Sequence, residues 1–160
     1  MKSFKKNFAE YLFLFWVGGS VYIEIELLYR GYTHWSMFVL AGIVFVTVGW
    51  MNECIFDWHT QFGWQVLIAT LWATGLEYTC GVILRRFGLQ VWDYSDVPLN
   101  IDGLICVPFM FAWAALMIVA IIVDDLAKFY FFGGQRPHYH VGKWCMRLCP
   151  VEFGKENDYE

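Results

Sequence analysis

Four apolar stretches, each long enough to cross a bilayer as a helix, decide what this chain can fold into. They run from Phe8 to Leu28, from Trp35 to Phe56 with its cleanest part at Met37–Met51, from Phe62 to Leu84, and from Ile101 to Val123. A span needs about 20 residues at 1.5 Å rise each. The expected fold is all-α: a polytopic membrane bundle of four transmembrane helices over residues 1–128, with an interfacial, cytoplasmic tail over 129–160. The first stretch lacks a small-residue cleavage site after a short apolar run, so it reads as an anchor and not as a removed signal peptide. For the second stretch the alternative is a re-entrant or tilted short helix.

Composition agrees. The chain is 59% hydrophobic and 16% charged, against about 25% charged residues in soluble domains. Its length leaves no room for a separate soluble domain of ordinary size. Lys and Arg are few and scattered, so no nucleic-acid surface is expected. Lys2, Lys5 and Lys6 precede the first span, and Lys128, Arg136, Lys143, Arg147 and Lys155 follow the fourth. The positive-inside bias therefore puts both termini in the cytoplasm, in a cell (inner or plasma) membrane, with Arg85 and Arg86 on the outer side.

Charged and hydrogen-bonding residues inside or beside these spans are the lead to function. A charge near a helix centre costs about 2.5–3.5 kcal/mol on insertion scales. Such groups persist by pairing, facing the bundle interior, or lining a wet cavity. Residues 22–37 contain Glu24, Glu26, Arg30 and His34. Glu26 lies one turn before Arg30, a favourable acid-before-base spacing. Glu24 and Glu26 point about 200° apart on a helix, so one should face inward and the other the headgroups. Gly31 is placed to end the first helix. Asn52 and Glu53 close the second span. In the third, Thr70, Thr74, Glu77 and Gly81 fall on one helix face, which suits close packing and puts Glu77 toward other helices. Glu77 is either a carboxylate that cross-links helices or a cavity residue that binds a cation, a proton or a polar substrate.

After the third span comes GLQVWDYSDVPLNIDG, rich in turn formers between aromatics. Asp93 and Asn100 are its candidate contacts. Asn100 or Asp102 is placed to cap a fourth span beginning at Ile101.

Other chemistry is thin. There is no GxSxG or HExxH motif, and no motif calls for a cofactor. The chain lacks G-x-x-x-x-G-K-[ST], so it does not hydrolyse ATP by that route. Whether it is an enzyme stays open. His138, His140, Cys145 and Cys149 form H-x-H-x4-C-x3-C, a weak metal candidate because that spacing matches no common zinc finger.

The stretches LLYRGYTHWSMFVLAG, LEYTCG, VWDYSDVPLNIDGLIC and RPHYH, with the pair Asn52-Glu53, resemble a bacterial family named putative ABC-transporter type IV, or CmpB-like. The match covers about residues 12–140. The resemblance carries over Arg30, Gly31, His34, Trp35, Asn52, Glu53, Glu77, Trp92, Asp93, Tyr94, Asn100, Gly103 and Pro137-His138-Tyr139. It implies an integral-membrane, permease-like role with any ATPase on a separate subunit.

The leading expectation is a transporter or permease-like protein with a polar intramembrane site. The candidates are Glu24, Glu26, Arg30, His34, Asn52, Glu53, Glu77, Asp93 and Asn100. The expected partners are membrane lipids, and either a separate ATPase subunit or further copies of the same chain. The alternatives are a membrane-embedded enzyme on a lipid or lipid-linked substrate, with His34 and Glu53 or Glu77 as acid and base, or a non-catalytic scaffold. A closed, fully paired polar core would favour the scaffold. A cavity open to lipid would favour the enzyme, and one open to water would favour transport.

Overall fold

A computed structural model describes residues 2–56, 60–133, 136–142 and 144–147, with side chains from Phe8 onward. Four helices, α1 (Lys2–Arg30), α2 (Trp35–Cys54), α3 (Phe62–Arg86) and α4 (Val107–Phe132), are long and apolar enough to span a membrane. A short hairpin, β1 (Asn100–Ile101) with β2 (Ile105–Cys106), precedes α4. A second, β3 (His138–Val141) with β4 (Trp144–Arg147), follows it. The start of α1 lies beside the end of α4, where Phe13 and Phe131 have ring centroids 5.8 Å apart. Both ends of the bundle chain therefore emerge on one face, called here the terminal face.

Local chemistry sets the helix limits. Gly31, at φ 77°, takes the left-handed position that ends α1, and its N–H donates to Leu27 O at 2.9 Å. His34 then caps α2: its Nδ1 accepts the Ser36 N–H at 3.2 Å. α2 is a continuous helix of 20 residues, which removes the re-entrant alternative.

The fourth span departs from expectation at both ends. It begins at Val107, not Ile101, and neither Asn100 nor Asp102 caps it. Leu99, Asp102 and Gly103 have φ of 58°, 54° and 64°, which no α-helix accommodates. Pro108 instead sits in the first turn, where its fixed φ and missing N–H are harmless. At the other end the helix passes Val123 and continues to Phe132. Asp124 and Asp125 do not stop it because both point into the bundle, 2% and 5% exposed.

α1 and α2 form the tightest pair. Gly18 faces Phe45, Gly19 faces Phe38 and Gly42 faces Phe15. In lipid this close packing is itself the driving force, since hydrocarbon tails are as apolar as the side chains. A Cβ on Gly18 would stand 2.4 Å from Phe45 Cγ. Gly18→Ala should therefore destabilise the bundle by about 1–3 kcal/mol, read as a lower unfolding temperature in detergent. An unchanged midpoint would show that the α1–α2 contact is looser than described. The core is a layer of Leu40, Val44, Val48, Ala69, Ala73, Met117, Ala120 and Ile121. Outward faces carry large apolar side chains such as Trp16, Leu71 and Phe111.

Candidate functional site

Polar side chains gather in two places, on either side of the apolar layer. Toward the far face, the α3 stripe of Thr70, Thr74, Glu77 and Gly81 is buried as its spacing requires. Thr70 and Thr74 return their hydroxyls to Val66 O and Thr70 O. Glu77 is 2% exposed. Its Oε2 accepts Trp113 Nε1–H at 2.8 Å from α4, and its Oε1 accepts the Tyr94 hydroxyl at 3.3 Å from the loop. Tyr22 of α1 stacks on Trp113 at 5.6 Å, and Tyr94 stacks on Phe109 at 4.5 Å. Both carboxylate oxygens are thus used, and one side chain ties α3, α4 and the loop together.

Glu26 is buried and Glu24 exposed, which matches their opposed directions on α1. Arg30 and Thr33 both donate to Glu26. The Arg30 guanidinium also lies 4.6 Å from the Tyr32 ring centre. His34 is occupied as the α2 cap and also contacts Ser36 Oγ at 2.7 Å. Asp93 and Asn100 hold the loop itself. Asp93 accepts the Ser95 N–H at 2.9 Å and the Ser95 hydroxyl at 2.5 Å. Those bonds hold the Asp93 carboxyl below the ordinary aspartate range. Their contribution is present above that range and fades as pH falls through the lowered value. Asn100 donates to Val97 O at 2.8 Å and accepts the Gly103 N–H at 3.1 Å. Tyr94 has its hydroxyl pKa raised by burial and by the Glu77 carboxylate.

The second gathering lies toward the terminal face and centres on Lys128. Its Nζ stands 2.8 Å from Asp124 Oδ2, 3.2 Å from Glu53 Oε1 and 3.8 Å from Glu10 Oε1, and donates to Gly49 O at 3.2 Å. Asp125 sits alongside and accepts Asn52 Nδ2–H at 2.7 Å and the Tyr139 hydroxyl at 2.8 Å. Asp124 is buried and the Lys128 side chain is 12% exposed, whereas the Glu53 side chain is 42% exposed. The cluster therefore reaches the protein surface through Glu53. Asp124 Oδ1 is buried without a hydrogen-bond partner. Tyr139, 3% exposed, enters from β3 and packs on Phe62 at 4.8 Å between centroids.

The structure thus separates the sequence candidates. Asn52 and Glu53 join the Lys128 cluster; Glu77, Glu26 and Arg30 lie toward the other face; Glu24 stands apart. Sequence reasoning missed Asp124, Asp125, Lys128 and Glu10 as site residues, and had Tyr139 only through the family resemblance, with no role. Asp124 and Lys128 did carry a signal, the i, i+4 acid-before-base spacing. Ending the fourth span at Val123 hid it. Of the weak metal set, His138, His140 and Cys145 fall on β3 and β4, with His140 opposite Cys145. Cys149 lies outside the described residues. Among the described residues no group of three His, Cys, Asp or Glu is arranged to hold a metal ion.

No solved structure matches the chain. A family model described as "Putative ABC-transporter type IV" matches residues 7–133, which takes in all four helices from near the start of α1 to the α4 cap. By that match, and by its four apolar helices, this chain is a multi-pass membrane protein and a member of the putative ABC-transporter type IV family.

Proposed function

We propose that the chain is the membrane-spanning part of a transport system, and that the Lys128 cluster is its polar intramembrane site, taking a proton or a small cation. The observation that carries this reading is a buried acidic cluster gathered around one lysine. The Lys128 ammonium is faced by Asp124 and Glu53, with Glu10 at 3.8 Å and Asp125 alongside. Carboxylates buried in low dielectric favour uptake of a proton or of positive charge. Glu53 carries the cluster to the protein surface. ATP hydrolysis belongs to a separate chain, because this one has no phosphate-binding loop. Glu77 supports a different role. With both oxygens satisfied by Trp113 and Tyr94, it acts as a helix cross-link.

Asp125→Asn is the direct test, since asparagine can still bond to Asn52 and Tyr139 while losing its charge. Reconstituted in liposomes with its transport partners, this variant should lose proton- or cation-coupled flux while unfolding at nearly the wild-type temperature. Wild-type flux would reduce the cluster to a structural lock. We also place both termini in the cytoplasm, on the inner or plasma membrane, with the residues after Phe132 as the cytoplasmic tail. The support is the basic residues flanking the first and fourth spans. A reporter active only in the cytoplasm should work at either end; silence at one end would refute the orientation.

A further inference from the structure

At the far end of α3 the chain forms an open hollow of about 440 Å³ that neither polar cluster uses. It is lined by Tyr78, Val82, Arg85, Arg86, Asp102 and Leu104. Val82 and Leu104 make an apolar floor. Arg85 and Arg86 are the last two residues of the span, so their guanidinium groups belong at headgroup level. The site is held in place. Arg85 Nη1–H donates to Asp102 O at 2.6 Å, and Tyr78 donates to Asp102 Oδ2 at 2.8 Å. Asp102 sits at φ 54°, a sparsely populated conformation for a residue with a side chain. Exposed Ile83, Phe87 and Ile101 lie on the same segments.

Both signs of charge occur in one hollow. An anion alone would meet the Asp102 carboxylate, and a cation alone would meet two guanidinium groups. We infer that this hollow binds the phosphoethanolamine headgroup of a membrane phospholipid, its phosphate on Arg85 and Arg86 and its primary ammonium on Asp102. The phosphate matches the planar donors of arginine. A primary ammonium can donate hydrogen bonds to a carboxylate, which a trimethylammonium cannot. Val82 and Leu104 would meet the first carbons of the acyl chains.

The test compares the full chain in nanodiscs of matched chain length, adding phosphatidylethanolamine, phosphatidylcholine or phosphatidylglycerol to one neutral host lipid. Phosphatidylethanolamine should raise the unfolding temperature most. Asp102→Asn should weaken that preference about tenfold, the loss of one charge-assisted hydrogen bond, whereas Arg86→Gln should weaken stabilisation by all three lipids, whose phosphates are alike. Asparagine tolerates the left-handed backbone, so Asp102→Asn keeps the turn. Equal stabilisation by all three lipids, a stronger effect of phosphatidylglycerol, full preference retained in Asp102→Asn, or undiminished lipid stabilisation in Arg86→Gln would each overturn the inference. Soluble phosphoethanolamine is the remaining arm: an effect as large as the lipid's would overturn the assignment to a membrane lipid.

Discussion

Lys128→Met is expected to destabilise the protein by about 3–5 kcal/mol, because it strands buried carboxylates whose counter-charge is gone. Asp124 Oδ2 and Glu53 Oε1 both depend on the ammonium, at 2.8 and 3.2 Å. Methionine keeps the length and apolar stem of lysine, so lost packing contributes little. Combining it with Asp124→Asn should recover part of the loss, since the most deeply buried unpaired charge then disappears. A double mutant cycle on unfolding temperatures in one detergent reads the coupling directly. If the double variant is no more stable than Lys128→Met alone, the ammonium is not what holds Asp124 in the bundle.

Glu77 should respond differently to two substitutions. Glu77→Ala leaves Trp113 Nε1–H and the Tyr94 hydroxyl without an acceptor and opens a void between α3 and α4. One buried orphan donor costs about 1–3 kcal/mol, and the void adds to that. Glu77→Gln retains an acceptor oxygen at nearly constant shape, and should cost about 1 kcal/mol, the scale of one ordinary hydrogen bond. Trp113 fluorescence, followed through thermal unfolding, reports on the contact itself. Equal losses from both substitutions would mean that the negative charge, and not the hydrogen bonding, matters at this position.

Much of the scaffold was legible because its signals are local. Length and hydropathy located α1, α2 and α3 to within a few residues. Helical spacing put Glu77 on the buried stripe, paired Arg30 with Glu26, and set Glu24 and Glu26 on opposed faces, of which the structure buries Glu26. The start of α4 was hidden because Ile101, Leu104 and Ile105 are as apolar as a span while their backbone turns through a hairpin. Its end was hidden by reading charge as a stop, which fails when the charged side chains face the protein interior. The Lys128 cluster is harder still. Glu10, Asn52, Glu53, Asp124, Asp125 and Tyr139 lie on four different elements, and no periodicity relates them. His34, Asp93 and Asn100 are a different case. Their polarity was visible, yet it is spent on a helix cap and on loop turns.

Where Lys128 sits along the chain has a biosynthetic consequence. Asn52 and Glu53 are made nearly half a chain before the lysine that Glu53 contacts. During insertion, the hairpin of α1 and α2 must therefore wait with Glu53 still lacking its ammonium. α4 then arrives carrying Asp124 and Lys128 as a ready-made pair one turn apart, with Asp125 as its one unmatched charge. Asp125 is satisfied last, by Tyr139, which leaves the ribosome after every span has been synthesised. A released chain that ends before residue 139 would thus hold four inserted helices around an acidic group still missing its tyrosine.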